Sequence, residues 1–355
     1  MLLHHLLSGD LPRSRALAVV LILILIALAG APFLFPGSQS LNVAAKICVF
    51  IVLAASYDLL LGYTGIVSFA HTMFYGIGGY GVAIAMHGIG TTWGALGVGI
   101  ALALLVSLVL AVVIGLFSLR VRAIFFAMIT LAVASAFAVL ASQLRDITGG
   151  EDGRSYSVPM VLRPSFRLLE DPVLGVSVTG RLVTYYLVFL SALALFLQAL
   201  RVVNSPFGRV LQAIRENEFR AEALGYRVVV YRTVATVLSA AMATMAGVLM
   251  ALWLRYTGPD TTLSFAIMID ILLMVVIGGM GTLYGAVLGA GIFILAQNYL
   301  QLVMGKLSEA TSGIPLLPQL LHPDRWLLWL GILFVLSVYF FPTGIVGRLR
   351  AGRKR

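Results

Sequence analysis

Long apolar runs, separated by short polar stretches, dominate this chain. Ten runs approach or exceed the roughly 20 residues that an α-helix needs to cross a bilayer. They are Ala16–Phe35, Leu41–Leu61, Gly65–Met86, Trp93–Phe117, Ile124–Gln143, Leu182–Leu200, Thr233–Leu254, Leu263–Ile277, Leu283–Val303 and Trp326–Phe341. A transmembrane barrel would instead need short segments that alternate apolar and polar residues. The pattern predicts an all-α polytopic membrane protein with about ten transmembrane helices, forming a single transmembrane domain over residues 1–355.

Three of these runs have features that set them apart. Ala16–Phe35 contains a small-residue site for signal cleavage at Ala27, Leu28 and Ala29, but its apolar stretch continues to Phe35, which favours a retained first helix. Gly65–Met86 is dense in glycine, and Leu263–Ile277 is short. Both features suit broken or re-entrant helices that line a cavity.

Between the apolar runs, Asn204–Arg232 is the longest helical signal that is compatible with water. Ser205 is a good N-cap, and Pro206 occupies the first helical position, where its missing N–H costs nothing. One apolar stripe then follows at i, i+3, i+4 and i+7, made of Phe207, Val210, Leu211 and Ile214. The spacing predicts an amphipathic helix.

A second short helix follows the first in the same segment. Asn217 is its N-cap, it runs over Glu218–Leu224, and Gly225 ends it in the left-handed conformation. Residues 204–228 are therefore predicted to be a pair of cytoplasmic coupling helices. Two interpretations stay open at this point, because a basic amphipathic helix either rests on the membrane face or docks a soluble partner.

Composition confirms that the chain needs a bilayer. Hydrophobic residues make up 61% and charged residues 11% of the sequence, and the mean hydropathy is +1.03. These charges are too few to cover the surface of a soluble globule. Cys48 is the single cysteine, so an intrachain disulfide or a cysteine-based metal site is excluded.

The net charge of +10 lies in short loops and at the C-terminal tail, where positive-inside topology explains it without nucleic acid. With a cytoplasmic N-terminus, an even number of crossings puts the following basic residues in the cytoplasm: Arg120, Arg122, Arg201, Arg209, Arg215, Arg220, Arg227, Arg232, Arg348, Arg350, Arg353, Lys354 and Arg355. Residues 344–355 then form a basic cytoplasmic tail, and 144–181 form an external loop. A membrane protein with both termini in the cytoplasm is predicted.

Glycines at helical spacing predict close helix packing, because small residues let backbones approach each other in lipid. Gly281, Gly285 and Gly289 form two overlapping GxxxG steps, and Gly90 with Gly94 forms another. The third apolar run carries a further group at Gly76, Gly78, Gly79 and Gly81.

Few ionisable residues fall inside the predicted spans, where they cost several kcal/mol unless they face a cavity or a partner. Asp58, His71 and Asp270 are the candidates for a translocation path. Ser68, His71 and Tyr75 stand at i, i+3 and i+7, so they are expected to share one polar helix face. The alternatives are that His71 only orients neighbouring helices through a backbone carbonyl, and that Asp270 is buried against another helix.

No motif for catalysis or for nucleotide binding is found in the sequence. HExxH, GxSxG and paired carboxylates do not occur in or near a span, and Leu300 and Leu307 stand where a Walker A motif around Gly305 and Lys306 needs glycine and Ser or Thr. The chain is thus expected not to be an enzyme. If transport is active, its energy comes from a partner or from an ion gradient.

Three blocks of sequence resemble the permease subunits of bacterial ATP-binding cassette (ABC) importers for branched-chain amino acids, in the subunit with the longer external loop. The blocks are Leu59–Tyr80 with its Gly-Tyr-Thr-Gly-Ile-Val-Ser-Phe-Ala-His core, the Thr148–Gly153 turn, and Ser205–Arg209 joined to Glu218, Ala223–Gly225 and Val275–Leu283. The resemblance covers about residues 41–344. Departures are Asp58 for a common Asn, Ile66 for the usual Gln, Ala70 for Gly, and Asp270 for a common Glu.

The resemblance implies a heteromeric importer in which this chain pairs with a second permease, ATP-binding subunits and a periplasmic or tethered binding protein. ATP and magnesium would be bound by the partners, with no cofactor in this chain. The residues implied in coupling to the ATPase are Phe207, Gly208, Arg209, Ile214, Arg215, Glu218, Ala223, Leu224 and Gly225. Permeases for urea, short amides or aromatic acids share these blocks, and an ion-coupled secondary transporter acting alone is the alternative from another class.

Overall fold

The computed structural model describes residues 14–35, 37–117, 123–168, 177–310, 317–341 and 343–351. Several predicted positions lie outside these described residues, namely Arg120, Arg122, Arg353, Lys354, Arg355 and part of the external loop at 169–176.

Helices account for most of the described chain. They are α1 (Arg15–Ala29), α2 (Ala31–Leu34), α3 (Ser38–Thr64), α4 (His71–Gly88), α5 (Trp93–Phe117), α6 (Ala123–Gln143), α7 (Arg145–Thr148), α8 (Gly180–Asn204), α9 (Pro206–Glu216), α10 (Glu218–Ala223), α11 (Val228–Leu254), α12 (Pro259–Thr262), α13 (Phe265–Gly278), α14 (Leu283–Ala310), α15 (Leu317–Leu320), α16 (Trp326–Phe340) and α17 (Gly344–Ala351). Two short strands, β1 (Arg154–Ser155) and β2 (Tyr256–Thr257), pair antiparallel, with Arg154 opposite Thr257.

Among the described residues, eight helical segments are long and apolar enough to cross a membrane. The apolar helix α1 is shorter, and α4 has 18 residues rich in glycine. Each of the ten predicted apolar runs overlaps one of these helices. The prediction of an all-α polytopic membrane protein is confirmed, and the count of about ten helices is approximate.

Contacts between helix ends show which segments share an end of the bundle. At one end, the Arg215 guanidinium of α9 donates to the Gly62 carbonyl of α3, and Gly344 of α17 lies against Gly279. At the opposite end, β1 pairs with β2, and Arg163 donates to the Thr91 hydroxyl over 3.1 Å. The coupling segment 204–228 and the described part of the C-terminal tail therefore lie together, away from the described part of 144–181.

The helix α11 lies at the centre of the bundle, where it packs against α3, α4 and α5. Two glycines let α4 and α11 cross closely: a side chain at Gly78 would strike the Thr244 carbonyl, and one at Gly247 would strike the Tyr75 carbonyl. Gly289 likewise brings α14 against the Met274 carbonyl of α13. These glycines are thus required by the packing.

Two of the predicted GxxxG steps do not lie within one helix, although Gly281 still packs closely against Gly62. Gly90 lies in the connection before α5 at φ +121°, with no atom near its missing side chain, and Gly94 meets only the Thr92 hydroxyl of its own helix end. Gly281 precedes α14 and adopts φ +78° in the turn after α13. Sequence spacing could not distinguish these turn glycines from packing glycines.

The predicted third span is broken at its start. Helix α3 ends at Gly65, which has φ +74°, and α4 begins at His71, so residues 65–70 form a non-helical stretch. This result agrees with the expectation of a broken helix and corrects its bounds. In the other doubtful segment, α12 and α13 together form a 20-residue span over Pro259–Gly278.

Candidate coupling and translocation site

The coupling segment folds through the capping residues that its sequence predicts. Ser205 caps α9, accepting from the Gly208 amide over 3.4 Å, and Asn217 caps α10, accepting from the Arg220 amide over 2.9 Å. Gly225 then turns the chain at φ +88°. Since each cap ends one helix and starts the next within a few residues, the segment forms a compact helix pair.

The apolar stripe of α9 faces the chain's own bundle. Leu211 and Ile214 are buried, and Ile214 packs in a small cluster with Ala221 and Val228. Phe207 stacks on Tyr231, with ring centroids 5.7 Å apart. Both side chains therefore help to hold α9 against the bundle, with Ile214 buried and Phe207 half-buried. The implied role of Phe207 and Ile214 in coupling to the ATPase stays a prediction.

A bidentate ion pair fixes the second helix of the segment. Glu218 at the start of α10 accepts from Arg232 of α11 at 2.7 and 3.0 Å. The Glu218 side chain is 43% exposed, so the net contribution of the pair to stability is of the order of 1 kcal/mol or less. Its effect is mainly orientation, since two parallel hydrogen bonds set the angle between α10 and α11.

The face of this segment that points away from the bundle combines two large apolar side chains with arginines. Phe219 is 85% exposed and Leu224 is 72% exposed. Arg209, Ala223 and Gly225 are exposed nearby, as are Arg220 and Arg227. We call Phe219 and Leu224 with Arg220 and Arg227 the α10 surface.

Sequence reasoning missed Phe219, although a signal was present. Ala221 is the buried residue of α10, and a side chain two positions away on a helix points about 200° from it. Phe219 must consequently face outward once Ala221 faces the bundle. The six residues of α10 are too few to show which side of the helix faces the bundle. The helical spacing therefore placed Phe219 and Ala221 on opposite sides, but only the structure shows that Phe219 is on the exposed one.

Behind the coupling segment, three parts of the chain meet at Asp58. The Asp58 carboxylate is buried, and its Oδ1 accepts from the Gly281 amide over 2.8 Å. Arg215 of α9 donates to the Gly62 carbonyl and acts on Asp58 electrostatically. This Asp58 cluster, consisting of Asp58, Gly62, Arg215 and Gly281, joins α9 to the end of α3 and to the turn between α13 and α14.

Deeper in the bundle, His71 belongs to a hydrogen-bonded chain. Its Nε2 lies 2.8 Å from Ser239 Oγ, and the Ser239 hydroxyl donates to the Ser56 carbonyl over 2.5 Å. A hydroxyl has one hydrogen, so Nε2 must be the donor to Ser239, and Nδ1 of the neutral ring is left as an acceptor. The His71 ring also stands edge-on against Tyr57, with centroids 4.8 Å apart.

Three buried polar atoms in this region have no hydrogen-bond partner among the described residues: the Tyr57 hydroxyl, His71 Nδ1 and the Tyr75 hydroxyl. Buried polar atoms are nearly always paired with protein, water or a ligand. Tyr57 and His71 are in ring contact next to the non-helical stretch 65–70, whereas the Tyr75 ring lies nearer Phe50. The interior between α3, α4 and α11 therefore contains polar groups that the described residues leave unpaired.

Ser68 does not share a helix face with His71 and Tyr75, which corrects the expectation from their spacing. It lies in the non-helical stretch, where its hydroxyl accepts from the Ala70 amide over 3.3 Å. The next residue, Phe69, donates its amide to the Thr130 hydroxyl of α6 over 3.0 Å. Glycine at position 65 ends the helix before the predicted i, i+3 relation can form.

Asp270 stands apart from the other candidates. It is half-buried on α13 and accepts from the Gln297 amide of α14 over 3.3 Å. The structure therefore places Asp270 on a different helix pair from the polar interior around His71. Among the described residues, no group of three or more His, Cys, Asp or Glu side chains is arranged to hold a metal ion.

Comparison with known proteins gives a consistent result. A family model described as the permease component of branched-chain amino acid transport systems matches residues 39–338. The high-affinity branched-chain amino acid transport system permease protein LivM of Salmonella typhimurium is 27% identical, over 88% of this chain and 71% of that protein. The probable permease protein LivM of Methanocaldococcus jannaschii is 26% identical, over 84% and 90%.

A second type of permease is also similar. The permease protein LivH of Salmonella typhimurium is 25% identical, over 89% of this chain and 97% of that protein. No solved structure matches the chain. The similarity therefore extends over most of the length of both types of relative.

Proposed function

Because this chain belongs to the family of permease components of branched-chain amino acid transport systems, we propose that it forms half of the transmembrane path of an ATP-driven importer. A second permease would supply the other half. Nucleotide-binding subunits would hydrolyse ATP, and a periplasmic or tethered binding protein would deliver the substrate. The chain lies in the bacterial inner membrane in this proposal, with the α9 end and both termini in the cytoplasm.

One observation carries the coupling role: an apolar surface flanked by arginines projects from a helix pair that is firmly held by the bundle. Phe219 and Leu224 expose most of their area although no lipid-spanning helix carries them. Large exposed apolar residues rimmed by polar ones mark interaction sites. The α10 surface is thus the docking point that we assign to the ATP-binding subunits.

The polar interior around His71 supports the path. Substrate sites of alternating-access transporters typically lie near the middle of the membrane, where polar groups and broken helices line a cavity. His71 Nδ1 offers an acceptor, Tyr57 and Tyr75 offer hydroxyls, and residues 65–70 offer unwound backbone. In this proposal, movement of α9 reaches that region through the Asp58 cluster.

The substrate class follows from the relatives, whose names specify branched-chain amino acids. We propose leucine, isoleucine and valine as the transported solutes. The substitutions at Asp58 and Ile66 change the polarity near the non-helical stretch, so urea, short amides and aromatic acids are the competitors that a transport assay should include.

Reconstitution into proteoliposomes tests the proposal. The full chain is purified with its copurifying subunits, loaded with ATP on the cytoplasmic side, and supplied with the binding protein and radiolabelled leucine. We expect uptake that requires ATP, that isoleucine and valine inhibit, and that an ionophore leaves unchanged.

Each other result points elsewhere. Uptake that survives without ATP and stops with the ionophore would identify an ion-coupled carrier and refute the proposal. Inhibition by urea, short amides or aromatic acids, with no effect of valine, would retain the importer but overturn the substrate.

A further inference from the structure

A recess of about 40 Å³ opens at the end of the bundle opposite α9, between the first turns of α3 and α8 and the last turn of α11. Its walls include Asn42, Arg181, Thr184, Trp253 and Arg255. Two arginines and no carboxylate contribute to it. Such a composition gives the recess a positive potential and several hydrogen-bond donors.

Arg255 has an unusual backbone conformation. It caps the end of α11 at φ 57° and ψ 26°, in the left-handed region. Among the described residues, Arg255 is the only one other than glycine that has a positive φ. Glycine adopts this region at no steric cost, whereas a side chain is strained there. At the comparable end of α3, the chain uses Gly65.

An arginine thus occupies a position where glycine would be less strained. Such outliers persist where the surrounding structure holds them, and they cluster at functional sites and ligand clamps. The surrounding backbone holds the strained residue in place, since the Arg255 carbonyl accepts from the Tyr156 amide over 3.1 Å and the Tyr156 hydroxyl donates to the Ala251 carbonyl over 2.9 Å. Burial raises the pKa of that Tyr156 hydroxyl, so it stays a neutral donor.

Arg181 completes the positive side of the recess. Its Nη2 donates to the Ser38 carbonyl and to Asn42 Oδ1, both over 3.1 Å, and its guanidinium lies 5.6 Å from the centre of the Trp253 ring. These contacts fix the guanidinium plane. Neither Arg181 nor Arg255 forms an ion pair with a carboxylate in the part of the chain that the structure describes.

We propose that this recess binds a small oxyanion group, a carboxylate or a phosphate, between Arg255 and Arg181. Guanidinium groups match the paired oxygens of both anions, and a fixed arginine loses little freedom on binding. The anion would come either from a solute in the aqueous phase or from the headgroup of an anionic lipid, since the recess lies at the end of the spanning helices. This proposal does not depend on the identity of the transported substrate.

Removal of the strained side chain tests the site. Arg255→Gly suits the left-handed backbone and should fold, Arg255→Gln keeps a polar side chain of similar length, and Arg167→Gln removes an exposed arginine near the same end but outside the recess. The full chain with its copurifying subunits is placed in nanodiscs of phosphatidylcholine. Apparent melting temperatures are measured in sodium phosphate, sodium acetate and sodium chloride at matched ionic strength, and again after phosphatidylglycerol is added.

We expect phosphate, acetate or phosphatidylglycerol to raise the melting temperature of the wild-type protein by about 2 °C or more over the chloride control. Arg167→Gln should show the same rise. Both Arg255 variants should lose at least about half of it. A response to phosphate or acetate identifies a soluble anion, and a response to phosphatidylglycerol alone identifies a lipid headgroup. The proposal is overturned if the wild-type protein responds to none of the three, or if Arg167→Gln loses as much of the response as Arg255→Gly.

Discussion

Gly225 adopts φ +88°, and open space surrounds the position where a side chain would start. Any effect of a substitution there must therefore come from backbone strain. A residue with a Cβ costs about 1–2 kcal/mol in the left-handed conformation, and a β-branched residue costs more than asparagine. We expect Gly225→Val to distort the turn after α10, so that ATP hydrolysis continues while substrate uptake falls several-fold.

The ratio of leucine transported to ATP hydrolysed, measured in proteoliposomes, checks this prediction. Gly225→Asn is the matched control, because asparagine tolerates the left-handed region, and it should retain most of the wild-type ratio. If Gly225→Val transports with an unchanged ratio, the turn has no part in coupling.

Gly289 and Gly291 lie on the same helix, but only Gly289 is needed for close helix packing. An alanine at 289 would strike the Met274 carbonyl of α13, whereas an alanine at 291 would meet no atom. Overpacking against backbone costs about 1–3 kcal/mol, and replacing an unneeded helical glycine gains about 0.5–1 kcal/mol. We expect Gly289→Ala to lower the apparent melting temperature and Gly291→Ala to leave it unchanged or raise it, and equal shifts would contradict the close α13–α14 crossing.

Opposite faces of the coupling helices should respond differently to the same change. Phe219→Asp or Leu224→Asp alters an exposed side chain, so the protein should insert and fold normally. An exposed aromatic at the centre of an interface is commonly worth about 2 kcal/mol or more, so the amount of copurifying ATP-binding subunit should fall by roughly tenfold or more.

Ile214→Asp is the contrasting variant, because its side chain is buried between α9, α10 and α11. A buried unpaired carboxylate costs several kcal/mol. We therefore expect a loss of folded protein, measured by size-exclusion chromatography of detergent extracts. Normal folding of Ile214→Asp with loss of ATPase binding would mean that the stripe, and not the α10 surface, contacts the partner.

The sequence predicts a feature of these helices correctly when the residues that determine it are close together in the chain. Ser205, Asn217 and Gly225 specify helix ends through their own side chains or backbone, so the caps were predicted correctly. The buried face of α9 was not, because a lipid surface, a partner and the chain's own bundle all select the same apolar stripe. Ser68 was misplaced for a related reason: a glycine inside a continuous apolar stretch fits either a helix or a left-handed helix end, and Gly65 forms the helix end at φ +74°.

Across the whole molecule, the Asp58 cluster joins the segment 204–228 to the end of α3 next to the non-helical stretch 65–70. Arg215 starts from α9, the Gly62 carbonyl ends α3 just before the non-helical stretch, and Asp58 fixes the turn at Gly281. A side chain at Gly62 would strike the Gly281 amide, so α3 and the turn after α13 are in close backbone contact, and the Arg215 guanidinium lies against both. We therefore expect a shift of α9 to displace the ends of both α3 and α13.

This geometry predicts that Arg215→Gln uncouples transport without weakening assembly, because Arg215 lies outside the α10 surface. Residues that link two sites typically change coupling by about 0.5–2 kcal/mol, so transport per ATP should fall by roughly 2- to 30-fold. Arg209→Gln is the control, since it removes an exposed arginine from the same helix. Asp58→Asn keeps an acceptor for the Gly281 amide but removes the ionisable carboxyl group near Arg215. If the cluster acts as a unit, the double variant Asp58→Asn with Arg215→Gln should be no worse than Arg215→Gln alone, whereas multiplied losses would show that the two residues act independently.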